Sequence, residues 1–215
     1  MDLLQPVGGP RDKVEVLSFP GDSWMWERSI DEAFDTLNFR FTGLERAPGI
    51  HRNTVRQADL LPARFQTTKS PMDFNCFAQG RDKRHKQFDL IYLDWMGTWS
   101  REKKVNIRNL FEADMLAVGG LLLLTLSLRR GRPETMEELK DLSYDLPLMF
   151  YDARGEDKYT RSLKVRGIPH WVEAEAHDSY RVNMRPLMAN IYYSKTGVRD
   201  GQTQPQLQLL FLREG

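Results

Sequence analysis

Cysteine is nearly absent from this 215-residue chain: Cys76 stands alone, which excludes an intrachain disulfide and any cysteine-rich zinc site. A chain so poor in cysteine suits a reducing compartment, and a cytoplasmic location is the expectation. The four histidines, His51, His85, His170 and His177, share no metal-ligand spacing, so no metal site is expected. There is no glycine-rich phosphate loop ending in Gly-Lys-Ser/Thr, no Gly-x-Ser-x-Gly elbow and no complete Gly-x-Gly-x-x-Gly fingerprint. Excess charge of one sign is missing too. The net charge is +1, so no global field draws the protein to nucleic acid or membrane, and any basic surface must be local. Long apolar runs are lacking: the longest, 115–128, is too short to span a bilayer and is interrupted by Gly119, Gly120, Thr125 and Ser127. Residues 1–10 show no basic segment followed by an apolar one, so no signal peptide is expected there, and no internal repeat is visible.

What is present is ordinary globular material. Apolar residues make up 40% and charged residues 28%, enough to build one core, and a single domain over 1–215 is expected. Short apolar runs at 14–19, 39–44, 63–68, 88–93 and 121–128 read as strands. Helical spacing or composition marks 24–37, 50–61, 74–78, about 100–117 and 133–142. Gly119-Gly120 reads as the break between the fourth helix and the fifth strand. Strands alternating with helices, the fifth strand apolar on both faces, predict an α/β fold with a doubly wound, mostly parallel sheet. Residues 188–194 and 206–213 read as a closing antiparallel hairpin, completing seven strands. Between them and the helix at 133–142, residues 151–180 are polar, aromatic and irregular in pattern, and form a candidate substrate-recognition insertion.

In an open parallel sheet, ligands lie beyond the carboxyl ends of the strands. Four features fall there: Pro20-Gly21-Asp22, Glu45, Asp73 and Asp94. The turn at Gly21 brings backbone N–H groups toward a ligand, and a carboxylate at Glu45 suits the two hydroxyls of a ribose. Each has a plainer reading: a simple turn, a strand-end charge neutralised by Arg46, and for Asp73 the N-cap of the next helix. Asp94 ends a strongly apolar strand, precedes Trp95 and has Gly97 close by, the pattern of a carboxylate aimed into a cleft. Cys76 reads as a small buried apolar residue. Arg81, Lys83, Arg84, His85 and Lys86 form one basic cluster, Arg101, Lys103 and Lys104 a second, and Arg129, Arg130 and Arg132 a third. The last two follow the fourth and fifth strands and, with Trp95, Trp99 and Trp171, offer a surface for a polyanion carrying bases, RNA or DNA.

The order of elements resembles that of the class I, Rossmann-like S-adenosylmethionine-dependent methyltransferases from about Val14 to Arg213. VEVLSFPGDSWMWE stands where the family has its first strand and nucleotide loop, FRFTGLER at the second strand with its acid, and PMDFNCF at the adenine segment. FDLIYLDWMGTW stands at the fourth-strand motif and VGGLLLLTLSLR at the fifth strand. The resemblance implies S-adenosyl-L-methionine as cofactor, held by Pro20, Gly21, Asp22, Glu45, Asp73, Phe74 and Asp94. It implies Asp94 and Trp95 as the catalytic pair, with Trp99, Arg101, Lys103, Arg129 and Arg130 on the acceptor. Asp94-Trp95-Met96-Gly97 keeps the family's acid and aromatic but has no proline. Only Gly21 remains of the first motif's glycines, and the bulky Trp24 and Trp26 that follow are expected to narrow the methionine end of the pocket. A nucleic-acid methyltransferase is therefore the expectation. A methyltransferase-like interaction module without activity and a small-molecule methyltransferase are the alternatives.

Overall fold

A computed structural model describes residues 13–21, 23–81, 86–95, 97–129, 132–143, 157–194 and 204–215. Seven strands form one mostly parallel sheet in the order β3-β2-β1-β4-β5-β7-β6, closed by an antiparallel hairpin. They are β1 (Val14–Ser18), β2 (Phe39–Gly43), β3 (Phe65–Thr67), β4 (Phe88–Asp94), β5 (Leu116–Ser127), β6 (Asn183–Ser194) and β7 (Gln204–Glu214). The helices are α1 (Met25–Ala33), α2 (Pro48–Ala58), α3 (Phe74–Gln79), α4 (Arg101–Glu112), α5 (Pro133–Ser143) and α6 (Asp157–Tyr180). The strand succession reverses between β1 and β4, the kind of switch point where open α/β sheets bind ligands. The described residues group into two compact units, one holding residues up to Leu93 with Asn109–Leu122 and Gly215, the other Asp94–Arg108 and Leu123–Glu214.

In the first unit β1 pairs in parallel with β2 and β4, and β2 with β3. Val16, Phe39, Phe41 and Phe65 project into one core with Trp24, whose ring meets Phe65 edge-on at 5.6 Å. Trp24 adopts a left-handed backbone, φ 54, as the residue before α1, which turns its indole inward instead of along the helix. Its Nε1–H donates to the Thr54 carbonyl at 3.1 Å. The tryptophan therefore belongs to the core and does not narrow a cofactor cleft, contrary to the sequence expectation. Trp26 instead lies against Tyr92, at 4.3 Å between ring centroids.

Three other expectations change. The fourth helix stops at Glu112, where Asp114 takes the left-handed conformation (φ 49) that short polar side chains tolerate. β5 then begins at Leu116, so Gly119-Gly120 lies inside the strand instead of before it. A Cβ on Gly120 would meet the Ala117 carbonyl at 2.7 Å, and Gly119 sits at φ 77, which is why an otherwise apolar strand carries both glycines. Residues 157–180 of the expected irregular insertion are a single helix, α6, in the second unit; 151–156 lie outside the described residues. Its buried stripe runs through Leu163, Lys164, Gly167, Ile168, Trp171, Val172 and Ala176, and the lysine and glycine in it hide the helical period. Gly167 brings α6 close to α5, since a Cβ there would stand 3.0 Å from the Leu139 carbonyl. Among the described residues no helix is long and apolar enough to cross a membrane, and no group of three or more metal-ligating side chains forms.

A Cβ on Gly43 would stand 2.6 Å from the Trp24 ring and 2.7 Å from Pro20. Gly43→Ala is expected to lower unfolding free energy by about 1–3 kcal/mol through overpacking. Gly21→Ala has open space and only its φ of 60 against it, so a loss of about 1 kcal/mol is expected. Urea denaturation of both variants measures the difference, and equal losses would refute the crowding at Gly43.

Candidate functional site

At the carboxyl end of β1 the chain turns through Pro20 and Gly21. Thr54 of α2 donates its hydroxyl to the Gly21 carbonyl, while Leu44 N–H bonds the Ser18 carbonyl at 2.9 Å, so strand ends and helix hold the turn in place. The Ser18 hydroxyl, at the end of β1, is fully buried, with no hydrogen-bond partner among the described residues. Gly21 is left-handed and a side chain there would meet nothing within 4 Å, so the turn is open on that side.

Glu45 follows β2. Its Oε1 accepts the Ala47 N–H at 2.8 Å, which braces the approach to α2, and its own carbonyl accepts the Met72 N–H at 2.9 Å. The second carboxylate oxygen carries no bond among the described residues and would serve a ribose hydroxyl. Asp73 is the N-cap of α3: Oδ1 accepts the Cys76 N–H at 2.8 Å and Oδ2 the Cys76 thiol at 3.6 Å. Cys76 is exposed, not buried, because helix capping turns it toward Asp73, whose negative charge pushes the thiol pKa up. Phe74 is buried edge-on against Phe19 at 6.2 Å. Of the expected cofactor ligands, Asp22 lies outside the described residues.

In the second unit Asp94 is half-buried and desolvation raises its pKa above the ordinary carboxylate value. Tyr192 of β6 lies within electrostatic reach: burial and then the Asp94 charge raise its phenol pKa, and a hydrogen bond with Thr125 of β5 opposes them. Three strands thus bring a carboxylate, a hydroxyl and a phenol together. Thr125 and Ser127 alternate within the apolar run of β5, a period-two signal that the sequence reading left unused; nothing local singles out Tyr192.

The basic and aromatic candidates divide. Trp99 is 1% exposed and packs on Trp171 at 5.4 Å, so it is a core ring and offers no face for stacking on an acceptor. Trp95 is also buried, 6.4 Å from Trp99, with the Lys103 ammonium 5.9 Å from its ring centre. Lys103 was expected at a cleft mouth, yet it is buried and donates to the Thr98 carbonyl. Lys164, fully buried on α6, donates to the carbonyls of Arg129 and Ser127. These two lysines tie down the backbone that follows β4 and β5. Lys104 pairs with Glu138, and Arg108 grips Glu175 through two bonds of 2.9 Å while both cations cover Trp171. The exposed basic candidates are Arg101, Arg129 and Arg132; Arg130 lies outside the described residues.

Burial pushes both Lys103 and Lys164 down to about 8; for Lys103 the Lys164 charge adds to the shift while Glu102 opposes it. Between that value and the ordinary lysine value the unfolded chain holds more protons than the folded one, so stability rises with pH from about 8 upward. The contribution is lost as pH falls through 8. The stability difference between the native protein and Lys164→Met is therefore expected to change in favour of the native protein from pH 7 to pH 9.5, read by urea denaturation. A difference constant with pH would contradict the buried-ammonium account.

No protein-family model matches the sequence, and no curated protein matches it. Solved structures do match. A candidate methyltransferase of Thermoplasma acidophilum superposes with a TM-score of 0.52 at 9% identity, over 94% of this chain and 68% of that one. The fibrillarin pre-rRNA processing protein of Methanococcus jannaschii gives 0.52 at 14% identity, over 95% and 68%. A SAM-dependent methyltransferase of Methanosarcina mazei gives 0.52 at 10% identity, over 95% and 94%. At such identities the likeness speaks to architecture, and together with the strand order it shows that this chain has the fold of the class I S-adenosylmethionine-dependent methyltransferases.

Proposed function

We propose that the protein transfers a methyl group from S-adenosyl-L-methionine to a nucleic-acid acceptor. The observation that carries this reading is Asp94: a half-buried carboxylate with raised proton affinity, closing β4 of a class I methyltransferase fold. Bound S-adenosylmethionine supplies a methyl group already activated on a sulfonium. The residues that fit it are Gly21, whose turn is open, and the second oxygen of Glu45. Asp94 accepts a hydrogen bond from the acceptor's N–H or O–H, aligns its lone pair and takes up the proton released. Its desolvated environment makes it a stronger base than a surface aspartate. Thr125 and Tyr192 flank it and fix the direction from which an acceptor is addressed. Catalysis is then largely positioning. Exposed Arg101 and Arg129 would meet phosphates, and the nucleic-acid class rests on them and on the fibrillarin likeness.

One observation favours a second reading, a cofactor-free interaction module. Glu45 and Asp73 both spend hydrogen-bonding capacity on backbone capping, as purely structural carboxylates do. Calorimetric titration with S-adenosylmethionine separates the two, and no heat at millimolar cofactor would sink the enzymatic reading. Glu45→Gln is expected to weaken cofactor binding about tenfold, the equivalent of one lost hydrogen bond to a charged group. Asp94→Asn is expected to leave cofactor affinity within about threefold and to lower methyl transfer by about 10²–10⁴, the range for a lost general base. Tritiated methyl incorporation into pooled RNA, DNA and small metabolites reads the acceptor class, and label confined to small metabolites would overturn the nucleic-acid assignment.

A further inference from the structure

A hollow of about 300 Å³ opens in the first unit, lined by Ala78, Gln79, Arg81, Asn109, Glu112 and Ala113. It lies where the carboxyl ends of α3 and α4 face each other, beside the first residue of β4, Phe88. None of these residues has a part in the proposed methyl transfer.

Arg81 is held with unusual definition for a side chain after a helix end. Its guanidinium lies 5.2 Å from the centre of the Phe77 ring and 4.8 Å from that of Phe88, so two aromatic faces fix its plane. One nitrogen, Nη2, donates to the Lys86 carbonyl. Among the described residues the other donors of the fork have no acceptor, and no carboxylate pairs with it. A half-buried guanidinium without an anion is uncommon, since burial penalises its charge and an anion would offset that. Glu112 lines the same hollow and is likewise without a cation among the described residues. The two opposite charges share one cavity without forming an ion pair, which leaves a gap between them. Asn109 is fixed by donating its amide N–H to Asn75 Oδ1 at 2.8 Å, leaving its carbonyl as a further acceptor.

A simple anion would meet Arg81 but be repelled by Glu112, and a simple cation would face the reverse. A molecule carrying both charges a few ångströms apart satisfies each. The volume is at the lower end for ligand cavities, which suits a molecule of amino-acid size and not a nucleotide. We propose that this hollow binds a free zwitterionic α-amino acid, its carboxylate on Arg81 and its ammonium on Glu112 and Asn109.

Amide-resolved NMR titration of the full chain tests this with three probes at equal ionic strength: L-alanine, sodium acetate and methylammonium chloride. Alanine is expected to shift amides in 78–81 and 109–113 and to bind at least about tenfold more tightly than either single-charge probe, because two ion contacts replace one contact and one repulsion. In E112Q, an exposed substitution, alanine is expected to fall to the acetate level while acetate binding holds or improves. In R81K, which keeps the charge but not the planar fork, alanine binding is expected to weaken with the spectrum otherwise unchanged. Alanine binding no tighter than acetate, shifts elsewhere in the chain, or no shift with any probe would each overturn the proposal. The readout involves neither S-adenosylmethionine nor methyl transfer, so it stands or falls apart from the proposed function.

Discussion

The ring of Trp24 sets the geometry of the first unit. Burying a side chain of this size contributes about 3 kcal/mol, and the placement constrains everything around it. The left-handed backbone at Trp24 sends the indole between Phe65 and the inner face of β2, where only a glycine at position 43 leaves room. Its N–H on Thr54 fastens α2 to the start of α1, and the Thr54 hydroxyl in turn holds the Gly21 carbonyl. A turn that glycines would otherwise leave adaptable is thus anchored from beneath by one aromatic side chain. The cost of a left-handed tryptophan is met by burial and by the hydrogen bond.

The second unit uses a different solution. Its core contains cations: Lys103 under the segment after β4, Lys164 under the segment after β5, and Lys104 on Trp171, whose ring the exposed Arg108 also covers. A buried ammonium is expensive unless carbonyls or carboxylates surround it. Here the lysines are capped by backbone carbonyls, so the same contacts that lower their desolvation cost also fix loop backbone. The neighbouring Asp94 pays its own desolvation by a raised pKa, and that shift is what suits it to accept a proton.

The carboxylates at strand ends carry the contrast between structure and chemistry. Asp73 caps a helix with both oxygens, Glu45 braces a backbone turn with one, and Asp94 stands beside Thr125 and Tyr192 with no cap to serve. Three residues of similar position in the strand succession therefore have graded availability to a ligand. In sequence all three close strands or open helices, and the neighbouring Trp95 and Gly97 already set Asp94 apart.

The apolar runs, their spacing and the alternation with helices were enough to read all seven strands, because buried strands such as β1 and β5 leave a local compositional mark. The same holds for Asp94, whose place at the end of a strongly apolar strand is a sequence fact. Long-range placement left no such mark. The inward turn of Trp24, the burial of Trp99 and Lys103, and the absorption of Gly119-Gly120 into β5 each depend on neighbours distant in the chain. α6 escaped notice because its buried face holds a lysine and a glycine, which only carbonyl caps and a close-packed α5 make tolerable. Local propensity and periodicity thus determined which elements form and in what order. Tertiary packing decided which polar groups are buried, which are capped and which stay free for a ligand, since desolvation and hydrogen-bond partnership are properties of the folded surroundings.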